Sequence, residues 1–188
     1  MQFPVDAKLK DGTPIRLVLA SQEHVAPLRR LYGVIVEEGN SYPHDRIPDD
    51  DQFMEYWFRG KSTVVAVAPD RPDGTDLAGA FYLKPNWPGR ARQVANAGFI
   101  VAPAWRNKGL GWLLGATMLD YARGLGYRNV IFNLVFSENK AACHLWKKLG
   151  FSQLGVIPGA VRMDDGRYQD AAIMLRSLVE EPGPVSPW

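Results

Sequence analysis

The six residues Arg106-Asn107-Lys108-Gly109-Leu110-Gly111 hold the densest chemistry in this sequence. They follow the apolar run Phe99-Ile100-Val101 and lead straight into a strongly patterned helix. A helix start leaves several N–H groups without intrahelical acceptors, and the helix dipole adds positive potential there. Glycine lets the backbone approach a ligand closely, and Arg106 and Lys108 add charge. The expected occupant is an anion, specifically a phosphate. A Walker A loop is excluded, because Lys108 precedes the glycines and no Ser or Thr follows a Gly-Lys pair. A Rossmann fingerprint requires an acidic residue ~20 positions on, at the end of the next strand. Here the next strand, Ile131-Phe132-Asn133-Leu134-Val135-Phe136, has no acidic end.

Asn96 and Asn133 are the second candidate pair. Strand alternation places Val94, Asn96, Gly98 and Ile100 on one face, and Asn129, Ile131, Asn133 and Val135 on one face of the neighbouring strand. An amide in an apolar central strand is costly unless hydrogen-bonded, so two of them call for a shared partner. Gripping and orienting a substrate is one reading; an Asn–Asn or Asn–backbone link in the core is the other. The strand 93–101 has no carboxylate to act as base. Glu37 and Glu38, which could attract an ammonium group, and His44, a candidate base, are further polar residues near the end of the first helix; residues so placed are more often plain surface. Cys143 and His144 are adjacent on a helix and do not face each other, so a nucleophilic cysteine is poorly supported. Trp146 lies on the apolar side of that helix and reads as core.

The elements that position these residues follow from turn chemistry and periodicity. A β-run over 15–19 precedes a helix from 23 or 24 to 36, capped by Ser21 and ended by Gly39-Asn40. A loop with Pro43 and Pro48 leads to a helix over 50–59, with Phe53, Trp57 and Phe58 inward. Strands are expected over 63–68, 77–83 and 93–101, with a polar connection over 69–76. A helix then carries Leu110, Leu113, Leu114, Thr117, Met118, Tyr121, Ala122 and Leu125 on one face. A strand over 129–136, a helix over 137–149, and strands over 151–157 and 167–175 complete the order. The fold class is therefore α/β in the α+β sense: a mixed sheet with an antiparallel first half, a central β–α–β crossover, and helices on both faces. The domain is expected to span 1–178, with the proline-rich tail 179–188 disordered.

Composition bounds the function. Across 188 residues, 22 basic and 20 acidic side chains give a formal charge of +2, which argues against a nucleic-acid partner. A single cysteine, Cys143, forbids an internal disulfide, and with three histidines no Cys/His metal site is expected. No basic segment followed by an apolar run opens the chain, and no charge-free run reaches the ~20 residues needed to cross a bilayer. A cytoplasmic protein without a membrane partner is the expectation. A homodimer through a strand edge or the Trp87/Trp105/Trp112 set is compatible with the sequence.

Arg106 to Gly111 fits the pattern R/Q-x-x-G-x-G/A at every position and resembles the coenzyme A loop of the GCN5-related N-acetyltransferase (GNAT) superfamily. The segment Asn139-Lys140-Ala141-Ala142-Cys143-His144-Leu145-Trp146-Lys147-Lys148-Leu149-Gly150-Phe151 is similar to that superfamily's second signature, with Trp146 where tyrosine is usual. Within the superfamily, Asn96-Ala97-Gly98-Phe99, the strand 131–136 and Glu37-Glu38-Gly39-Asn40-Ser41-Tyr42-Pro43 resemble the fungal proline-analogue acetyltransferases, which act on azetidine-2-carboxylate. The resemblance implies acetyl transfer from acetyl-CoA to a small amine or amino acid. It implies that Arg106, Asn107, Lys108, Gly109, Leu110 and Gly111 hold the diphosphate, and that Asn139 contacts coenzyme A. It further implies that Asn96 and Asn133 hold the substrate. A backbone N–H around Ile100 and Val101 can serve the thioester carbonyl. Trp146 cannot donate a proton as a phenol would; water, Tyr42 or Tyr82 are the alternatives. A non-catalytic acyl-CoA sensor and a peptide amino-terminal acetyltransferase are the competing readings.

Overall fold

The computed structural model describes residues 2–70 and 77–179. The connection expected over 69–76 and the tail expected over 179–188 therefore lie largely outside the described residues. Eight strands form one sheet in the order β1-β2-β3-β4-β5-β6-β8-β7. They are β1 (Val5–Lys8), β2 (Pro14–Leu19), β3 (Ser62–Val67), β4 (Gly79–Pro85), β5 (Val94–Val101), β6 (Asn129–Phe136), β7 (Ser152–Arg162) and β8 (Tyr168–Ser177). The helices are α1 (Val25–Glu37), α2 (Asp50–Trp57), α3 (Leu110–Gly124) and α4 (Lys140–Lys148). Among the described residues only β5 and β6 pair in parallel, across the α3 crossover; the other neighbours are antiparallel.

Helices cover both faces, as the patterning requires. On one side Leu110, Leu114 and Met118 of α3 and Trp146 of α4 pack on Phe81, Ala95, Ala97, Val130 and Phe132. On the other, Leu28, Tyr32 and Ile35 of α1 and Phe53 and Trp57 of α2 pack on Val65, Val67, Ala80, Tyr82 and Ile100. Each fully buried large side chain contributes roughly 1.5–3 kcal/mol.

Several boundaries differ from the sequence reading. Strand β1 has no counterpart in it: four residues beside Pro4 give too short a pattern, and pairing with β2 makes them a strand. Helix α4 starts at Lys140 rather than 137, because the Asn139 side chain caps it by accepting from the Ala142 N–H at 3.0 Å. Strand β7 continues to Arg162 through Pro158 and Gly159, where a register shift absorbs the missing donor. Leu125 is half exposed beyond the α3 face on which periodicity placed it.

Candidate active site

The parallel pairing of β5 and β6 stops after two residue pairs, Val94↔Asn129 and Ala95↔Val130. Beyond them the two strands are not in register, which opens the sheet at its centre. Asn96 sits at the start of this opening and bridges it: its Nδ2 donates to the Ile131 carbonyl at 2.9 Å. Strand β6 then carries a bulge between Phe132 and Val135. The extra residue returns Val135 to the core shared by Val130 and Phe132, not to the face of Asn133 as strict alternation implied. Asn133 is left exposed, and its Nδ2 donates to Asn86 Oδ1 at 2.7 Å. The two asparagines thus have separate partners rather than the shared one expected of them. Ile100 lies on the α1/α2 face beside them, and Val101 ends the strand against the α3 core.

Behind the opening lies the cradle. A short turn, Pro103–Trp105, hands the chain to Arg106, and α3 then opens without any side-chain cap. Asn107 and Gly109 both take positive φ, 63° and 88°. Gly109 is suited to this conformation, which costs other residues about 1–2 kcal/mol. Such alternation of backbone signs ahead of an uncapped helix makes an anion-binding concavity of N–H groups, so the residues present fit a diphosphate. The cationic side chains are already engaged. Arg106 gives Nη2 to both oxygens of Glu38, at 2.9 and 2.6 Å, and Nε to the Val101 carbonyl at 3.3 Å. Lys108 stands 5.3 Å over the Trp105 ring, with Asp11 4.0 Å away. Leu110 is a core anchor. A Cβ on Gly111 would stand 3.3 Å from Leu145, and one on Gly115 only 2.4 Å from Leu149. These two glycines let α3 and α4 pack closely.

Asn139 turns its side chain inward. Besides capping α4, its Nδ2 donates to the Asn40 carbonyl at 3.1 Å and to Ser41 Oγ at 3.2 Å. It therefore ties α4 to the loop between α1 and α2. Trp146 is core, with its ring 4.6 Å from Phe132 and 4.8 Å from Phe99.

The α1–α2 side of the opening contains a group that periodicity did not single out. Tyr42 donates to the Phe99 carbonyl at 3.0 Å, and Tyr32 Oη lies 2.6 Å from His44 Nδ1. Tyr56 packs against both neighbours, its ring centroid 5.8 Å from that of Tyr32 and 5.7 Å from that of Tyr82. Burial pushes all four phenols above their ordinary value and pushes His44 below its own. Tyr42 and Tyr82 were candidates from sequence; Tyr32 and Tyr56 were not. A cavity of about 310 Å3 adjoins this group, between the α1–α2 loop, the end of β6 and the β7–β8 turn. Glu37, Asp45 and Asp164 line it together with Arg46 and Arg162, and Tyr42 and His44 form part of its wall. A larger hollow of about 740 Å3 lies between α1 and α2; neither hollow is lined by β5 or α3, and only the smaller one reaches the sheet, through Phe136 of β6 and Val161 and Arg162 of β7.

Comparison with known proteins accords with this geometry. The model of the acetyltransferase (GNAT) family matches residues 19–151. The chain is 34% identical over 166 residues to N-acetyltransferase aca1 of Schizosaccharomyces pombe, covering 81% of this chain and 79% of that protein. A GCN5-related N-acetyltransferase from Kribbella flavida superposes with a TM-score of 0.79 at 32% identity, covering 87% of this chain and 97% of that one. A phosphinothricin acetyltransferase from Sinorhizobium meliloti, solved with acetyl-CoA, has the same fold, with a TM-score of 0.77 at 21% identity over 92% and 96% of the two chains.

Proposed function

This chain belongs to the GNAT acetyltransferase family, and on that premise we propose that it acetylates the amine of a small zwitterion such as a proline-like cyclic amino acid. The observation that carries the reading is a small cavity bearing both signs of charge, walled in part by Tyr42, whose hydroxyl reaches the Phe99 carbonyl of β5. About 310 Å3 is at the lower end of ligand sites and suits an amino acid better than a peptide. Arg46 and Arg162 are available to a carboxylate, and Glu37, Asp45 and Asp164 to an ammonium group.

Acetyl-CoA, when bound, supplies the acetyl group as a reactive thioester. The N–H groups from Asn107 into the first turn of α3 hold its diphosphate. A backbone N–H between Phe99 and Val101 accommodates negative charge developing on the carbonyl oxygen. Asn96 and Asn133 orient the acceptor across the opening, where holding reactants in line can supply several kcal/mol of barrier lowering. Their present partners, the Ile131 carbonyl and Asn86, fix these amides until the acceptor arrives. The protein acts in the cytoplasm, and no described helix is long and apolar enough to cross a membrane.

The direct test is thiol release from acetyl-CoA against a panel of free amino acids, cyclic imino acids and peptides. Turnover on azetidine-2-carboxylate or a close analogue is expected. Turnover confined to peptides, or none with any amine, refutes the assignment.

A further inference from the structure

Helix α1 ends against its own electrostatics. Its carbonyl end carries partial negative charge, Glu37 and Glu38 add two carboxylates, and no basic side chain stands in its last turn. The compensating cation comes from 68 positions away. Arg106 Nη2 donates to both Glu38 oxygens, at 2.9 and 2.6 Å, while its Nε donates to the carbonyl of Val101 at the end of β5. The two side chains keep only 40% and 34% exposure, so water and salt screen this pair less than a free surface pair. The turn that Arg106 holds is also a wall of the acceptor cavity. Val36, Glu37 and Gly39 line that cavity, and Glu38 lies among them in the chain. Glu37 is one of the carboxylates available to the acceptor's ammonium group. Gly39 takes a φ of 65°, and a Cβ on it would stand 3.8 Å from Asp164 Oδ2 of the β7–β8 turn. Farther along, Asn139 holds Asn40 and Ser41, and Tyr42 holds the Phe99 carbonyl. The entry to α3, the start of α4 and strand β5 thus fix one short stretch of chain. Arg106 is the tie that acts on the helix end itself.

Resting on the acetyl-transfer reading, we propose that Arg106, although it begins the diphosphate-binding motif, serves the acceptor side: with Glu38 it forms a positioning pair that sets Glu37 and the stretch Gly39 to Tyr42 around the acceptor. The diphosphate is left to the backbone N–H groups that open α3. Arg106 and Glu38 act through the cavity wall and not by touching the acceptor. A helix end frays more readily than its middle, and few contacts hold such a turn. Releasing this one displaces the Glu37 carboxylate from the place where an ammonium group would meet it. The loss therefore falls on acceptor binding, while the cradle, built from backbone, keeps its shape.

Glu38→Gln keeps the size of the side chain and removes its charge, and Arg106→Gln removes the guanidinium. Each is expected to raise KM for the acceptor at least about fivefold, the low end of couplings carried between sites. Turnover at saturation should hold, the mark of an interaction that serves binding alone. Coenzyme A affinity, measured by calorimetry, should stay at the wild-type value in both. The double variant should be no worse than either single one, because both remove the same interaction. The two singles cut the pair from opposite sides, so one poorly folding variant does not remove the test. Amide hydrogen exchange gives a readout apart from turnover: Gly39, Asn40 and Ser41 should exchange faster in both variants, and the first turn of α3 should not. Coenzyme A affinity that falls in Arg106→Gln but not in Glu38→Gln makes Arg106 a diphosphate ligand and overturns the proposal alone. Wild-type exchange at residues 39–41 in both variants overturns it as well. A wild type inert toward every amine overturns the acetyl-transfer reading, and the acceptor role of the pair falls with it.

Discussion

Asn139 spends its whole side chain inside the protein, its oxygen on the α4 cap and its nitrogen on the Asn40–Ser41 segment. That arrangement separates two roles by substitution. Asn139→Asp keeps the cap acceptor and loses both donors, so stability should stay near wild type while KM for the acceptor rises through a loosened Tyr42 loop. Asn139→Ala loses the cap as well, at a further cost of about 1 kcal/mol in denaturant unfolding. Equal stability of the two variants would remove the capping argument. In sequence Asn139 was legible only as the coenzyme A contact that the family resemblance implies; its tie to a residue near position 40 was not. That contact spans about a hundred positions along the chain and exists only because α4 and the end of α1 meet beside the sheet.

Helix α3 shows what an element contributes beyond its residues. Its apolar stripe is local and predictable, and Leu110, Leu114 and Met118 are buried as that stripe requires. Its uncapped start depends on the left-handed turn at Gly109, whose φ is 88°. Gly109→Ala pays the left-handed penalty of about 1–2 kcal/mol. It also brings its methyl to 3.0 Å from the Lys10 side chain, whose flexible end can yield. Acetyl-CoA affinity by calorimetry should weaken roughly tenfold, the equivalent of about 1.4 kcal/mol. Unchanged affinity would show that the cradle does not need this backbone shape. The engagement of Arg106 with Glu38 could not be anticipated from the loop, because Glu38 follows α1 on the far side of the crossover. Likewise the β6 bulge moved Val135 away from Asn133, since strict alternation holds only until a residue is inserted.

At the scale of the whole molecule, burial of His44 ties stability to pH. Its folded pKa is depressed below 6.5, so its contribution is complete above that value. As pH falls from there through the lower folded value, the unfolded chain binds the proton first and stability is lost. Urea unfolding across this window should show a decline that flattens in His44→Gln; parallel curves for the two proteins would remove His44 as the cause. The sequence by itself determined the order of most elements, the glycine-bearing start of α3, the family and the acetyl donor. These are written in local signals: periodicity, turn residues and contiguous motifs, each acting within a few residues of itself. Only the tertiary structure decided that β5 and β6 part after Ala95, that two asparagines take separate partners, and that tyrosines from α1, α2 and β4 cluster with a loop histidine. Those outcomes depend on which distant side chains come within hydrogen-bonding reach when both faces of one sheet are covered, and spacing along the chain carries no record of that.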